Sequence, residues 1–176
     1  QGGAISAVRE TSTITLSGGI ISGNSASSGG AVYANNVGEN KYLNVVKVSG
    51  DVEISDNTLS DGETVSNIVV TGPGAFCLAG EVTGSVGVSM VGAKNGSEIG
   101  FAEDESLTEA SNITYDGGAF DISIAGGKLV ATGDYVCYVG DDEETGTKYK
   151  TLKAAILGAG DKTVTIHLVS DALWEG

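Results

Sequence analysis

The sequence predicts an all-β chain wound as a parallel β-helix, and three observations predict it. The first is a phrase that recurs: Gly2-Gly3-Ala4-Ile5-Ser6-Ala7 returns further along as Gly29-Gly30-Ala31-Val32-Tyr33-Ala34. Self-similarity at such a period marks stacked structural units, each unable to bury its apolar face alone. The second is composition. Glycine occupies 28 of 176 positions, too many for ordinary helices, in which each interior glycine costs about 0.5–1 kcal/mol relative to alanine. Val, Ile, Thr and Ser supply much of the rest, which favours strands and turns. The third is spacing. The turns between candidate strands are too short for helical crossovers, so consecutive strands either pair as hairpins or occupy different sheets of one coil. The length of the repeat, enough for three short strands and three turns, favours coils.

The elements follow in order. The first clear rung spans 13–24 and a variant of it spans 46–57; both alternate apolar and polar residues between Ser, Gly, Asn and Asp. Aligning Ser17-Gly18 with Ser49-Gly50 leaves one extra residue in the second copy and sets Asn24 opposite Asn57. Equivalent asparagines can stack their amides along the axis, as in other cross-β stacks. Gly29 and Gly30 supply positive φ at a corner. Ala31 is small enough to face inward beside it, and Val32 and Tyr33 point to opposite faces. Further strands are expected at 68–71, 75–78, 85–90, 120–124 and 128–131, giving roughly five coils over residues 1–133 at this repeat length.

The C-terminal part changes character. A charged loop over 139–148 leads to a short helix, with Thr151 as its N-cap. Leu152, Ala155 and Ile156 form its apolar stripe, and Gly158-Ala159-Gly160 stops it. A strand over 163–169 follows, in which His167 alternates with Ile166 and Leu168 and so faces solvent. The expected organisation is therefore a solenoid over 1–138 and a loop, helix and strand over 139–176. The second part either caps the solenoid or opens a further module.

Composition excludes several function classes. The formal net charge is −14, with one Arg (Arg9) and one His. Such a surface repels phosphate backbones and anionic headgroups, so neither nucleic acid nor a membrane surface is an expected partner. No stretch approaches the roughly 20 apolar residues of a membrane-spanning helix. Cys77 and Cys137 lie in two apolar runs far apart in the chain, a spacing unlike a metal site, and are read as buried free thiols in preference to a disulfide. The chain opens inside a repeat, and Gln1 reads as a cleavage boundary. The acidity is that of an exposed or secreted protein, and the expected setting is extracellular or cell-surface, as part of a larger multi-module chain.

The run Ile21-Ser22-Gly23-Asn24-Ser25-Ala26 followed by Gly29-Gly30-Ala31-Val32-Tyr33 resembles the repeat of chlamydial polymorphic outer-membrane proteins, with Ile21 where that repeat carries Phe. Asn67-Ile68-Val69-Val70-Thr71-Gly72 with Gly84-Ser85-Val86-Gly87-Val88 is similar to rungs of large surface proteins of gut Firmicutes. The resemblance implies a right-handed, pectin-lyase-like β-helix displayed at the bacterial cell surface in an adhesin-like protein, with host glycan or protein as partner. The segment from Tyr149 to Ile156, followed by 163–166, resembles the N-terminal cap that opens many β-helix modules.

An enzyme reading needs more than the sequence offers. Glycoside hydrolysis requires two carboxylates converging on one bond, and the lyases of this fold rely on a cationic base with bound Ca²⁺. Glu103, Asp104 and Glu105, together with Asp141 and Asp142, are candidate ligands for Ca²⁺, a hard cation wanting six to eight oxygens. Contiguous carboxylates diverge, however, and otherwise read as solvated loops. No nucleophile elbow, phosphate loop or zinc spacing is present, and the Thr13/Thr15 and Thr163/Thr165 pairs are too isolated for an ice-binding array. The expectation is a non-catalytic module without cofactor. A carbohydrate-active enzyme is the alternative.

Overall fold

About three turns of stacked chain form the body of the molecule. The computed structural model describes residues 2–8, 11–36, 44–133, 135–141, 143, 146–160 and 162–169. The first coil runs through β1 (Ile5–Ala7), β2 (Ser12–Leu16), β3 (Ile20–Ile21), β4 (Ser25–Ala26) and β5 (Val32–Ala34). The second follows as β6 (Asn44–Gly50), β7 (Glu53–Ile54), β8 (Thr58–Leu59) and β9 (Ile68–Val70). The third comprises β10 (Phe76–Val82) and β11 (Val86–Met90), and β12 (Glu98–Ala102) and β13 (Ile113–Tyr115) lie on these in turn. All pairings among these strands are parallel. Ile14 sits beside Val46, and Val46 beside Phe76, so each coil brings the chain back to the same place one repeat later.

The register explains which residues build the core. Alternation sends Val46, Val48, Ile54, Ile68, Val70, Phe76, Leu78, Val86 and Val88 inward, each no more than 2% exposed. Stacking in register places side chains of like shape above one another. Each buried aliphatic contributes on the order of 1.5–3 kcal/mol.

Five expected coils become about three for two reasons. The coils carry long excursions, and the strands expected at 120–124 and 128–131 do not wind. They form a hairpin, β14 (Asp121–Ala125) and β15 (Lys128–Thr132), whose β15 pairs antiparallel with β12. Gly126 and Gly127 both hold positive φ (57° and 75°), the requirement of a two-residue turn whose twist matches its strands. A hairpin is thereby the local solution, and it closes that edge of the sheet.

Beyond it lie β16 (Cys137–Val139), β17 (Thr147–Tyr149), the helix α1 (Leu152–Ala159) and β18 (Ile166–Leu168). The three strands form an antiparallel sheet in the order β17-β16-β18. The Thr151 hydroxyl accepts from Ala154 N at 3.0 Å, capping α1. Of the expected stripe only Ala155 is fully buried; Leu152 is half-buried and Ile156 is 44% exposed. The final strand is shorter than 163–169. His167 does not stand free in solvent: it stacks on Tyr138, ring centroids 4.6 Å apart and 9° from parallel.

Candidate functional site

A difference in length between neighbouring coils builds the site. In the second coil a long stretch of chain separates Ile54 from Ile68; in the third, Val86 and Val88 pair with those same two positions with only Gly87 between them. The second coil therefore throws out residues 55–67 as an excursion, pinched by a bridge between Thr58 and Val65, while the third runs straight beneath it. The overhang leaves a cleft of about 590 Å³. Its roof is Leu59 and residues 63–66, its floor Val69, residues 89–92 and Tyr115, and its far wall is Thr147, Lys148, Tyr149 and Lys162 of the C-terminal segment. Lys162 Nζ pairs with Glu63 at 2.6 Å, tying that wall to the excursion.

A row of amides runs to a carboxylate in this cleft. Asn24 donates from N and Nδ2 to Asn57 Oδ1, both at 3.0 Å. Asn57 donates in the same way to Asn67 Oδ1, at 3.1 and 2.9 Å. Asn67 then donates from N to Asp116 Oδ2 at 2.6 Å and from Nδ2 to Asp116 Oδ1 at 2.7 Å. Asn57 and Asn67 stand at the two ends of the excursion and are buried, so these bonds close its neck. A buried amide left unpaired would cost about 1–3 kcal/mol, which makes the satisfied row a fixed geometry.

Asp116 ends the row on the cleft floor. Burial of its carboxyl, partly offset by the two Asn67 donors, pushes it up to about 6. Gly87 gives it room: a Cβ there would fall inside contact distance of both Asp116 Oδ1 and Asn67 Nδ2. Beside it, Tyr115 donates to Met90 O at 3.1 Å and meets Phe120 edge-on at 5.0 Å, and Phe120 meets Tyr135 at 5.7 Å. This aromatic seam joins the third coil to the C-terminal sheet. The Tyr135 hydroxyl, which hydrogen-bonds Glu143, is pushed up to about 12 by burial and by that carboxylate.

The residues singled out in the sequence are dispersed. Gly29 holds the corner with positive φ (62°). Gly30 is not in the positive-φ region; it must be glycine because a Cβ would strike the Thr58 and Ser66 backbone at the excursion's neck. Ala31 is fully buried beside them. Glu103 pairs with Lys47, Asp104 accepts from Ser106 N at 2.9 Å and Oγ at 2.6 Å, and Glu105 and Asp141 are exposed; Asp142 lies outside the described residues. Among the described residues no three His, Cys, Asp or Glu side chains assemble a metal-binding group. Cys77 and Cys137 are free and buried. Cys77 lies between inward Phe76 and Leu78, so it faces outward beneath the Lys47–Glu103 pair, and burial followed by the Glu103 charge pushes its thiol up to about 11.

No family model, curated protein or solved structure matches the chain. Asp116, Asn67 and the cleft are what sequence reasoning missed. The available signal was Asp116-Gly117-Gly118, a lone carboxylate followed by two glycines at a strand end.

Proposed function

We propose that this chain is a non-catalytic, extracellular β-helix module of a bacterial surface protein, a stalk or binding wall whose ligand is a host glycan or protein. A right-handed winding and an adhesin-like, multi-module parent belong to the same reading. The observation that carries it is the cleft under the excursion. Its lining combines hydroxyls (Ser66, Ser89, Thr147), amphipathic tyrosines and the exposed edge of Val91, the mixture of apolar area and few oriented polar groups that small-ligand sites share. Its two carboxylates are each engaged, Asp116 by Asn67 and Glu63 by Lys162. The structure contains no helix long and apolar enough to span a membrane among the described residues.

A second reading draws on Asp116. A carboxyl raised to about 6 in a cleft is the acid partner's signature in glycoside hydrolysis, so a carbohydrate-active enzyme is the alternative. A glycan and polysaccharide screen scored for binding and for product release, with and without Ca²⁺, separates the two. Binding without product, weakened at least tenfold by Val91→Glu with unchanged folding, supports the binding wall. Released product that disappears in Asp116→Asn would replace it with the enzyme.

A further inference from the structure

We propose that Asn95-Gly96 is a covalent modification site, a deamidating pair whose reaction the β14–β15 hairpin holds in check. It is the one Asn-Gly pair in the chain. Both residues are exposed, in the turn between β11 and β12. The chemistry needs no enzyme and no co-reactant but water. The Gly96 amide gives up its proton to solvent base, and its nitrogen attacks Asn95 Cγ. A C–N bond forms, the Cγ–Nδ2 bond breaks, and Nδ2 takes up a proton and leaves as ammonia. Water then opens the cyclic imide at either carbonyl. Opening at Cγ gives aspartate; opening at the main-chain carbonyl gives isoaspartate, with an extra methylene in the backbone. No atom is oxidised or reduced. Glycine suits the nucleophile because it carries no side chain to obstruct ring closure. The space around Gly96 is open, with nothing within 4 Å of where a Cβ would stand.

The fold opposes this reaction at both reacting groups. Gly96 N donates to Ala131 O at 2.8 Å, so β15 holds the proton that the nucleophile must lose. Gly133 N donates to Asn95 Oδ1 at 3.2 Å and fixes the electrophile against the same edge. The second bond also polarises the Cγ carbonyl, which by itself favours attack. That gain is idle while the first bond keeps the proton on Gly96, because only the deprotonated nitrogen is a nucleophile. The turn is fixed from within as well: Ser97 N donates to Lys94 O at 2.9 Å and Lys94 N to Ser97 Oγ at 2.8 Å. Ala131 N returns a bond to Ser97 O at 2.9 Å. The bonds that reach the turn from the hairpin thus come from β15 and the residue after it, so the reaction waits on the lifting of one strand edge. Isoaspartate makes that lifting permanent, because the lengthened backbone no longer sets Gly96 N opposite Ala131 O.

The test compares deamidation at Asn95 in the folded full chain, in the same chain unfolded in guanidinium chloride and in a peptide of residues 91–100, all in mildly alkaline buffer. Peptide mass mapping scores the gain of one mass unit and separates aspartate from isoaspartate. The folded chain should react at least about tenfold more slowly than the peptide, and the unfolded chain should match the peptide. Gly127→Val strains the hairpin turn, where φ is 75°, and should raise the folded rate about tenfold, the effect of one side chain forced into the left-handed region. The parent gives a second reading that needs no variant. Through sub-denaturing guanidinium chloride, deamidation and hydrogen exchange at Gly96 should rise in proportion, since both need the same N–H released. A folded parent that deamidates as fast as the peptide would overturn the proposal. So would a deamidation rate that stays constant while exchange at Gly96 accelerates, whether the acceleration comes from denaturant or from Gly127→Val.

Discussion

Asp116 concentrates the chemistry of this molecule in one side chain. Its carboxyl titrates near 6 in the folded protein against an ordinary value of 3.8. The folded state therefore holds its proton more tightly than the unfolded chain. Between about pH 4 and 6 the native state binds the extra proton, so its contribution to stability falls as pH rises through that window. It is most favourable below pH 4, and the penalty is complete above about 6; its size is on the order of 3 kcal/mol. The prediction is a difference: between pH 4 and 6.5 the parent protein loses chemical stability relative to Asp116→Asn, with the two pH profiles converging in shape above that range. Parallel profiles across the window would refute it. Gly87 gives a second test at this scale. Gly87→Ala drives a methyl into the Asn67–Asp116 bonds and should destabilise the fold by about 2–3 kcal/mol in urea titration, the cost of stranded buried polar groups. An effect below about 0.5 kcal/mol would mean that the amide row is not rigid.

At the scale of elements, the excursion between Ile54 and Ile68 is held by its neck, where Asn57 is fully buried and bonded to Asn24 and Asn67. Asn57→Ala removes the acceptor for Asn24 and the side-chain donor to Asn67 together. It should cost about 2–3 kcal/mol and speed exchange at Gly30, whose N donates to Ser66 O at 2.6 Å. Equal exchange at Gly30 in parent and variant would detach the neck from the first coil. These contacts also explain what could be read in the sequence. The rungs are legible because inward Val and Ile, corner glycines and the Asn24/Asn57 equivalence all repeat with the coil, and stacking demands such repetition. The cleft is not legible, because it arises from a shortening. Nothing in Val86-Gly87-Val88 marks those residues as spanning what the whole segment from Ile54 to Ile68 spans one coil earlier. The hairpin reads as coil in the sequence because 120–124 and 128–131 alternate like any strand pair. Only the double positive φ at Gly126 and Gly127 decides their pairing.

Across the whole molecule, the strength of the contacts is uneven, and that sets the order of unfolding. The coils and hairpin share one continuous core from Ala31 to Ala131, and the C-terminal sheet is joined to it by the Tyr115–Phe120–Tyr135 seam and by two exposed ion pairs, Lys162–Glu63 and Lys150–Asp121. A surface ion pair contributes about 0–1 kcal/mol; a truncated buried Phe costs about 3–5 kcal/mol. The seam therefore governs the attachment. Lys162→Ala should leave the thermal midpoint within about 2 °C of the parent. Phe120→Ala should do more than lower stability: it should split unfolding, so that amides of Cys137–Val139 exchange through an opening that leaves Val46 and Val48 protected. Local opening of this kind is expected where one unit rests on few buried contacts, and stacked coils transmit stability mainly to their neighbours. The cleft lies between these two units, so its far wall, Thr147 to Tyr149, would leave with the sheet. Ligand binding in the cleft must then slow the exchange of Cys137–Val139 by a factor of one plus the ratio of ligand concentration to Kd, whereas a ligand held elsewhere on the solenoid would leave that exchange unchanged.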